Sequence, residues 1–224
     1  MNITFVDHLL PKKIVFLMML FDFHHHHHYK EGIYNLNLLE SPLDRPFSVG
    51  IHPKDVEKTL DESWKWFTET SLHQHCWTIG EAGLDGIIDT NEDHQESLFE
   101  KQILWANEIK KPVTIHCVRR FSQLLKFKKM AHVPLVIHGF NKKKEIAHEL
   151  FQKGFYLSFG KAALQNVSLK QIIEDFPLEK MFLETDAAEF DIHLLYEKIA
   201  FIKNISIDTL QDQILENIEK LIDL

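Results

Sequence analysis

Seven short apolar runs, six of which end in histidine or a carboxylate, constrain this chain more than any other feature. They are IVFLMMLFDF from Ile14, RPFSVGIHP from Arg45, CWTIGEAGLD from Cys76, KPVTIHC from Lys111, VPLVIHGF from Val133, GFYLSFG from Gly154 and EKMFLETDA from Glu179. Short apolar segments bounded by Pro or Gly are what strands buried on both faces of a parallel sheet look like. Amphipathic stretches separate them. In EDHQESLFEKQILWANEIKK, Leu98, Phe99, Ile103, Trp105, Ala106 and Ile109 recur at helical spacing. Other helical patterns run from Lys142 to Lys153, Leu169 to Asp175, Ile192 to Ile202 and Ser206 to Leu224. Strand–helix alternation builds βαβ units around a parallel sheet. The expected fold is therefore α/β, a TIM-barrel-like (β/α) barrel. Between His28 and Phe47 there is room only for a turn or loop around SPLDRP. The barrel is accordingly expected to be incomplete, or to have a shortened first crossover.

Residues 19–224 are expected to form one domain, a length that suits a single sizeable core. Residues 1–18 read as an N-terminal extension that the first strand does not need, with Met18 or Met19 as an alternative start. KKIVFLMMLFDF resembles a signal peptide only superficially, because its apolar run is short and meets Asp22 and histidines rather than small residues. It is also too short to span a membrane. Two cysteines, Cys76 and Cys117, are too few for a disulfide scaffold, so a reducing, cytoplasmic setting is expected. The charge balance, 25 basic against 33 acidic residues, disfavours a plain nucleic-acid-binding module that works by bulk charge.

The strand ends carry the chemistry. His24 and His26 close the first run, His52 follows the second, Glu81 and Asp85 the third, His116 the fourth, His138 the fifth and Asp186 the last. In a parallel barrel all these ends open on one face, where active sites of such barrels lie. Any one of these residues alone reads as an ordinary hydrogen-bonded polar group. Together, several histidines and carboxylates at one mouth are costly to bury unless a positive charge sits among them. Imidazole with carboxylate suits Zn²⁺, Mn²⁺ or Fe²⁺, and Mg²⁺ where water completes the shell. A carboxylate such as Glu81 can bridge two ions, the arrangement used on phosphoesters.

The internal run FDFHHHHHYK fits this picture. Residues two apart on a strand share a face, so His24 and His26 point together while His25 points away. Asp22 lies on the same face as His24 and could orient a ligand.

The set LFDFHHH, GIHP, GEAGLD, TIHC, IHGF and LETDA resembles the TatD-like metal-dependent hydrolases. The helix with Gln95, Phe99, Gln102 and Ala106, and the closing ENIEKLI with Asn217, are also similar to that family. The resemblance covers about residues 19 to 222. It implies a TIM barrel with two divalent ions (Mg, Mn or Zn). His24, His26 and Asp186 would hold one, His116 and His138 the other, and Glu81 would bridge them. His52 would contact the substrate phosphate or assist the chemistry. The implied reaction is phosphodiester hydrolysis, with Glu81 or Asp186 taking the proton from water, on DNA ends or single strands bound transiently. Three departures are visible. Val118 stands where the family has an arginine, with Arg119 and Arg120 following; Ala188 replaces a proline, which predicts a looser loop; and the region after His28 is short enough to have lost a helix–strand–helix portion. Carboxylic-ester or amide hydrolysis, as of an aminoacyl-tRNA ester, and a non-catalytic metal-binding barrel remain as alternatives. Lys142–Lys144 and Lys161 could guide a nucleic-acid backbone. Trp64, Trp66 and Phe67 read as the buried stripe of a helix or as a base-stacking surface.

Overall fold

The computed structural model describes residues 20–58 and 61–223; the extension expected over 1–18 lies outside them. Among the described residues eight strands form one sheet: β1 (Asp22–His25), β2 (Gly32–Asn35), β3 (Phe47–Val49), β4 (Cys76–Asp85), β5 (Val113–Val118), β6 (Leu135–Ile137), β7 (Tyr156–Phe159) and β8 (Met181–Leu183). They pair in chain order and every pair is parallel. α1 (Asp61–Ser71) follows β3, α2 (Glu92–Ile109) follows β4, α3 (Phe121–Lys128) follows β5 and α4 (Lys144–Gln152) follows β6. α5 (Ala162–Gln165) and α6 (Val167–Asp175) follow β7, and α7 (Ile192–Lys203) and α8 (Ile207–Ile222) follow β8. This is a nearly closed TIM barrel.

The ring closes just past the ends of β1 and β8. The Asp186 N–H donates to His24 O at 2.9 Å and the His26 N–H to Asp186 O at 3.3 Å. Beneath them, the buried Asp22 carboxylate accepts from the Thr185 N–H at 2.9 Å and from its hydroxyl at 2.6 Å. Asp22 therefore latches the seam; it does not orient a histidine.

Residues 26–46 correct the expectation that a helix–strand–helix portion is missing. The strand is present as β2, GIYN, and only the helices are gone. Residues 26–31 join β1 to β2, and residues 36–46 join β2 to β3, neither with a helix. The first crossover is shortened, as expected, yet the sheet keeps eight strands. Parallel neighbours usually need a crossover of a dozen residues or more, so four residues this close to β1 do not read as a strand. Gly32 makes the fit feasible: a Cβ there would lie 2.0 Å from Asp22 O, and its φ is +132°.

Side chains cap the helices. Asn91, Asn166, Asp191 and Ser206 each accept a backbone N–H at the start of α2, α6, α7 and α8. The core is rich in phenylalanine, with Phe47, Phe67, Phe99 and Phe159 fully enclosed. Phe67 belongs to the buried stripe of α1, and the Trp66 indole donates to Glu40 O at 2.8 Å. Asn217 on α8 donates to Leu178 O and Met181 O, pinning the last helix beneath β8. No helix among the described residues is long and apolar enough to cross a membrane.

Candidate metal centre

Every histidine and carboxylate singled out as a site residue in the sequence meets at the carboxyl-terminal mouth of the barrel, around Glu81. The two oxygens of Glu81 face different neighbours. Oε1 lies 3.0 Å from His24 Nε2 and 2.8 Å from His26 Nε2. Oε2 lies 3.4 Å from His52 Nε2, 3.4 Å from His116 Nδ1 and 3.5 Å from His138 Nε2. Asp186 Oδ1 joins the first group, 3.4 Å from His26 Nε2 and 3.8 Å from His24 Nε2. The donor atoms of His24, His26, Glu81 and Asp186 all lie within 4.8 Å of one another, as do those of His52, Glu81 and His116. Unprotonated imidazole with carboxylate is a donor set for a divalent ion, and this cluster can bind metal.

Surrounding residues hold that geometry. The Glu81 N–H donates to Asn35 Oδ1 at 2.9 Å, and Asn35 also accepts from the Ser48 hydroxyl. The short β2 thus fixes the central carboxylate. On α2, Gln102 bonds both Ile51 N–H and Ile51 O, setting the strand end that bears His52. Seven residues earlier, and on the same helical face, Gln95 makes the equivalent pair of bonds with Asp85. Gly83 pairs with His116, and a Cβ there would lie 2.0 Å from His116 O.

Hydrogen bonds distinguish the histidines by tautomer. His116 Nε2 lies 3.0 Å from Asp85 Oδ2, so a neutral His116 would keep its hydrogen there and offer Nδ1 to an ion. His138 Nδ1 faces Glu184 Oε1 at 3.5 Å, so the ring, once it gives up its second proton, would offer Nε2 to an ion. His52 is the reverse: its Nδ1 accepts the Lys54 N–H at 2.9 Å, so Nε2 carries the hydrogen and points at Glu81 as a donor. Burial, reinforced by neighbouring His116, lowers His52 to about 4, and it is neutral at pH 7.

The remaining charges are mutually dependent. Burial opposes a charge on Glu81, but His138 and hydrogen bonds from His116, His138 and His24 hold it well below the usual carboxylate range. Burial also opposes a proton on His26, yet Asp186 and Glu81 raise it to about 9. His138 stays well above its ordinary value because Glu81 and Glu184 outweigh its burial. Despite burial, the His26 hydrogen bond draws Asp186 down to about 2.

Two functional positions escape the sequence reading. Asn35 lies on the strand that was not recognised. Glu184 is fully buried, and its Oε1 accepts the Gly139 N–H at 2.5 Å beside His138. Glu184 stands two before Asp186, so strand alternation would have put both on one face. The arginines after β5 diverge: Arg120 is buried against Glu92 and Glu96 on α2, whereas Arg119 is exposed. The loop after Asp186, expected to be loose, is tied by Lys30, which donates to Thr185 Oγ1, Ala188 O and Phe190 O.

A parallel barrel with an imidazole–carboxylate cluster at its strand ends has the architecture of a metal-dependent hydrolase. The chain belongs to the TatD related DNase family, whose model matches residues 25–223. It is 28% identical over 193 residues to an uncharacterised metal-dependent hydrolase, YabD, of Bacillus subtilis strain 168, covering 78% of this chain and 76% of that one. It is 26% identical over 147 residues to the 3′-5′ ssDNA/RNA exonuclease TatD of Citrobacter koseri, covering 62% and 56%. The crystal structure of YJJV, a TatD homologue from Escherichia coli K12, shares the fold with a TM-score of 0.73 over 86% of both chains at 21% identity.

Proposed function

We propose that this metal-dependent hydrolase is a phosphodiesterase that uses two divalent ions (Mg, Mn or Zn) to trim DNA ends or single strands. The observation that carries the reading is the division of labour at Glu81, one oxygen to each group of donors. His24, His26 and Asp186 would hold one ion, His116 and His138 the other, with Glu81 between them. The exonuclease named among the relatives supports the substrate class. The free, buried Cys76 and Cys117 suit a cytoplasmic setting.

When bound, the ions supply Lewis acidity and lower the pKa of water toward neutrality. The protein's own groups do the rest. Asp186, anionic and part-exposed, accepts the proton of the attacking water, or Glu81 does so from within the cluster. His52 does not bring a spare proton, because it is neutral; its Nε2–H donates a hydrogen bond to a phosphoryl or leaving oxygen. Strand ends, Asn35 and the two glutamines of α2 keep these groups in place before substrate arrives.

Two measurements test this reading. A labelled single-stranded oligonucleotide incubated with Mg²⁺, Mn²⁺ or a chelator is expected to shorten only with metal. Metal bound stoichiometrically without shortening would move the assignment to carboxylic esters and amides, or to a non-catalytic barrel. Metal loading itself has a signature. In the ion-free protein His26 and His138 hold protons at pH 7, and a ligand nitrogen must shed its proton to bind. Binding should therefore release protons at pH 7, and apparent affinity should fall as pH drops. Titration calorimetry in buffers of different ionisation enthalpy reads this release, and a buffer-independent heat would mean that both rings are already neutral before loading or do not bind the ion.

A further inference from the structure

The acidic chain hides a strongly basic arc. Residues 119–173, which run from the loop after β5 into α6, contain eleven Lys and Arg but only two acids, Glu145 and Glu149; Glu174 and Asp175 then end that helix. The remainder of the chain therefore holds 14 of the 25 basic residues and 31 of the 33 acidic ones. Four of the arc's cations lie in the loops between a strand's carboxyl end and the helix that follows, on the side of the mouth: Arg119 after β5, Lys142 and Lys143 between β6 and α4, and Lys161 between β7 and α5. Arg119, Lys143 and Lys161 are exposed, and none of the four forms an ion pair among the described residues. Lys142 lies over the Phe121 ring at 5.8 Å. Neighbouring cations are already engaged: Arg120 with Glu92 and Glu96, Lys126 with Glu96 and Lys144 with Asp175.

The opposite side of the mouth has the opposite character. Loops after β8, β1 and β2 carry Glu189, Asp191, Glu31, Glu40 and Asp44. Their cations are spent internally, Lys30 on Thr185, Ala188 and Phe190, and Arg45 on Lys30 O. A polyanion at this mouth meets unpaired positive charge on one side and carboxylates on the other. Like charges left unpaired repel one another, and phosphates relieve that repulsion.

We propose that the body of a single-stranded nucleic acid runs out from the metal centre across the β5–β7 arc, with Arg119, Lys142, Lys143 and Lys161 taking successive phosphates. This rests on the phosphodiesterase reading and deepens it. The substrate is a polynucleotide with several phosphates on one side of the cleaved bond, not a mononucleotide or small ester. The scissile end lies toward the acidic side, where few phosphates follow.

The test compares wild type with a variant carrying Arg119→Gln, Lys142→Gln, Lys143→Gln and Lys161→Gln. Binding of a fluorescent twelve-nucleotide single strand is measured in chelator, across a range of salt. Hydrolysis of bis-p-nitrophenyl phosphate with Mn²⁺ is measured alongside, because that small diester cannot reach the arc. A single strand loses roughly 0.7 in log–log salt slope for each phosphate contacted, so wild type should show about −3 for four contacts. The variant is expected to bind at least about tenfold more weakly at low salt, with a nearly flat slope, while its small-diester rate stays unchanged. Unchanged oligonucleotide affinity and slope, with the small diester still cleaved, would overturn the arc and leave the phosphodiesterase reading standing. If wild type cleaves neither substrate, the phosphodiesterase reading fails and the proposal falls with it. Binding to anionic vesicles without oligonucleotide affinity would reassign the arc to a membrane surface and likewise overturn the proposal.

Discussion

Glu81→Gln is expected to remove metal-dependent hydrolysis almost entirely while leaving a folded barrel. The reason lies in the two faces of one carboxylate. Oε1 serves His24 and His26, and Oε2 serves His52, His116 and His138, so one substitution weakens both groups at once. An amide has nearly the same shape but cannot offer two anionic oxygens. Residues that only orient metal ligands cost about 10–100-fold when changed. Asp85→Asn, which disturbs only the hydrogen bond to His116 Nε2, belongs in that range. Glu81→Gln should exceed it, with kcat/KM down by more than about 100-fold and bound metal well below the wild-type stoichiometry. Metal analysis and kcat/KM on one preparation make the comparison. A Glu81→Gln protein that keeps its full metal content and turns over within tenfold of wild type would show that Glu81 is a neighbour of the site and not its centre.

The sequence was most legible where an element was long or a pattern was repeated. The amphipathic period of α2 stands out over eighteen residues, and buried Leu98, Phe99, Ile103 and Ala106 are its expected core face. The site was legible because His24 and His26 stand two apart at the end of one strand, and each later histidine or carboxylate lies in the carboxyl-terminal half of its strand or just past its end. Legibility failed where tertiary packing overrides local rules. β2 has four residues, one of them Gly32, and joins β1 through a link too short for an ordinary parallel crossover. Nothing local marks it as a strand; it forms because Gly32, with no side chain, lets the two backbones approach closely at Asp22. Asn35 was lost with it. His52 illustrates a different limit. The GIHP motif places the ring, but only the bond from Lys54 N–H to Nδ1 shows which nitrogen holds the hydrogen. A tautomer depends on loop geometry that spacing does not encode.

The seam between β8 and β1 joins folding to function, and Asp22→Ala should expose that link. Past the strand ends, β1 and β8 are joined by the backbone bonds at His24, His26 and Asp186, and by the Asp22–Thr185 latch below them. Removing the carboxylate strands the Thr185 N–H in a buried position, where an unmet donor costs about 1–3 kcal/mol. For a chain of this size each kcal/mol lowers Tm by roughly 2–4 °C. The same change loosens the register that aligns His24 on β1 and His26 just past it with Asp186 after β8, so affinity for the ion should fall as well. A ligand that binds only the folded state stabilises it by RT ln(1 + [L]/Kd), so weaker binding shrinks the rise in Tm that added metal produces. Thermal unfolding with and without Mn²⁺ separates the two effects. The expected result is a lower ion-free Tm together with a smaller metal-induced gain than wild type. Loss of stability with an undiminished gain would mean that the latch closes the barrel without setting the ligands. An unchanged ion-free Tm would mean that the backbone bonds hold the seam unaided, and that Asp22 is buried there for another reason.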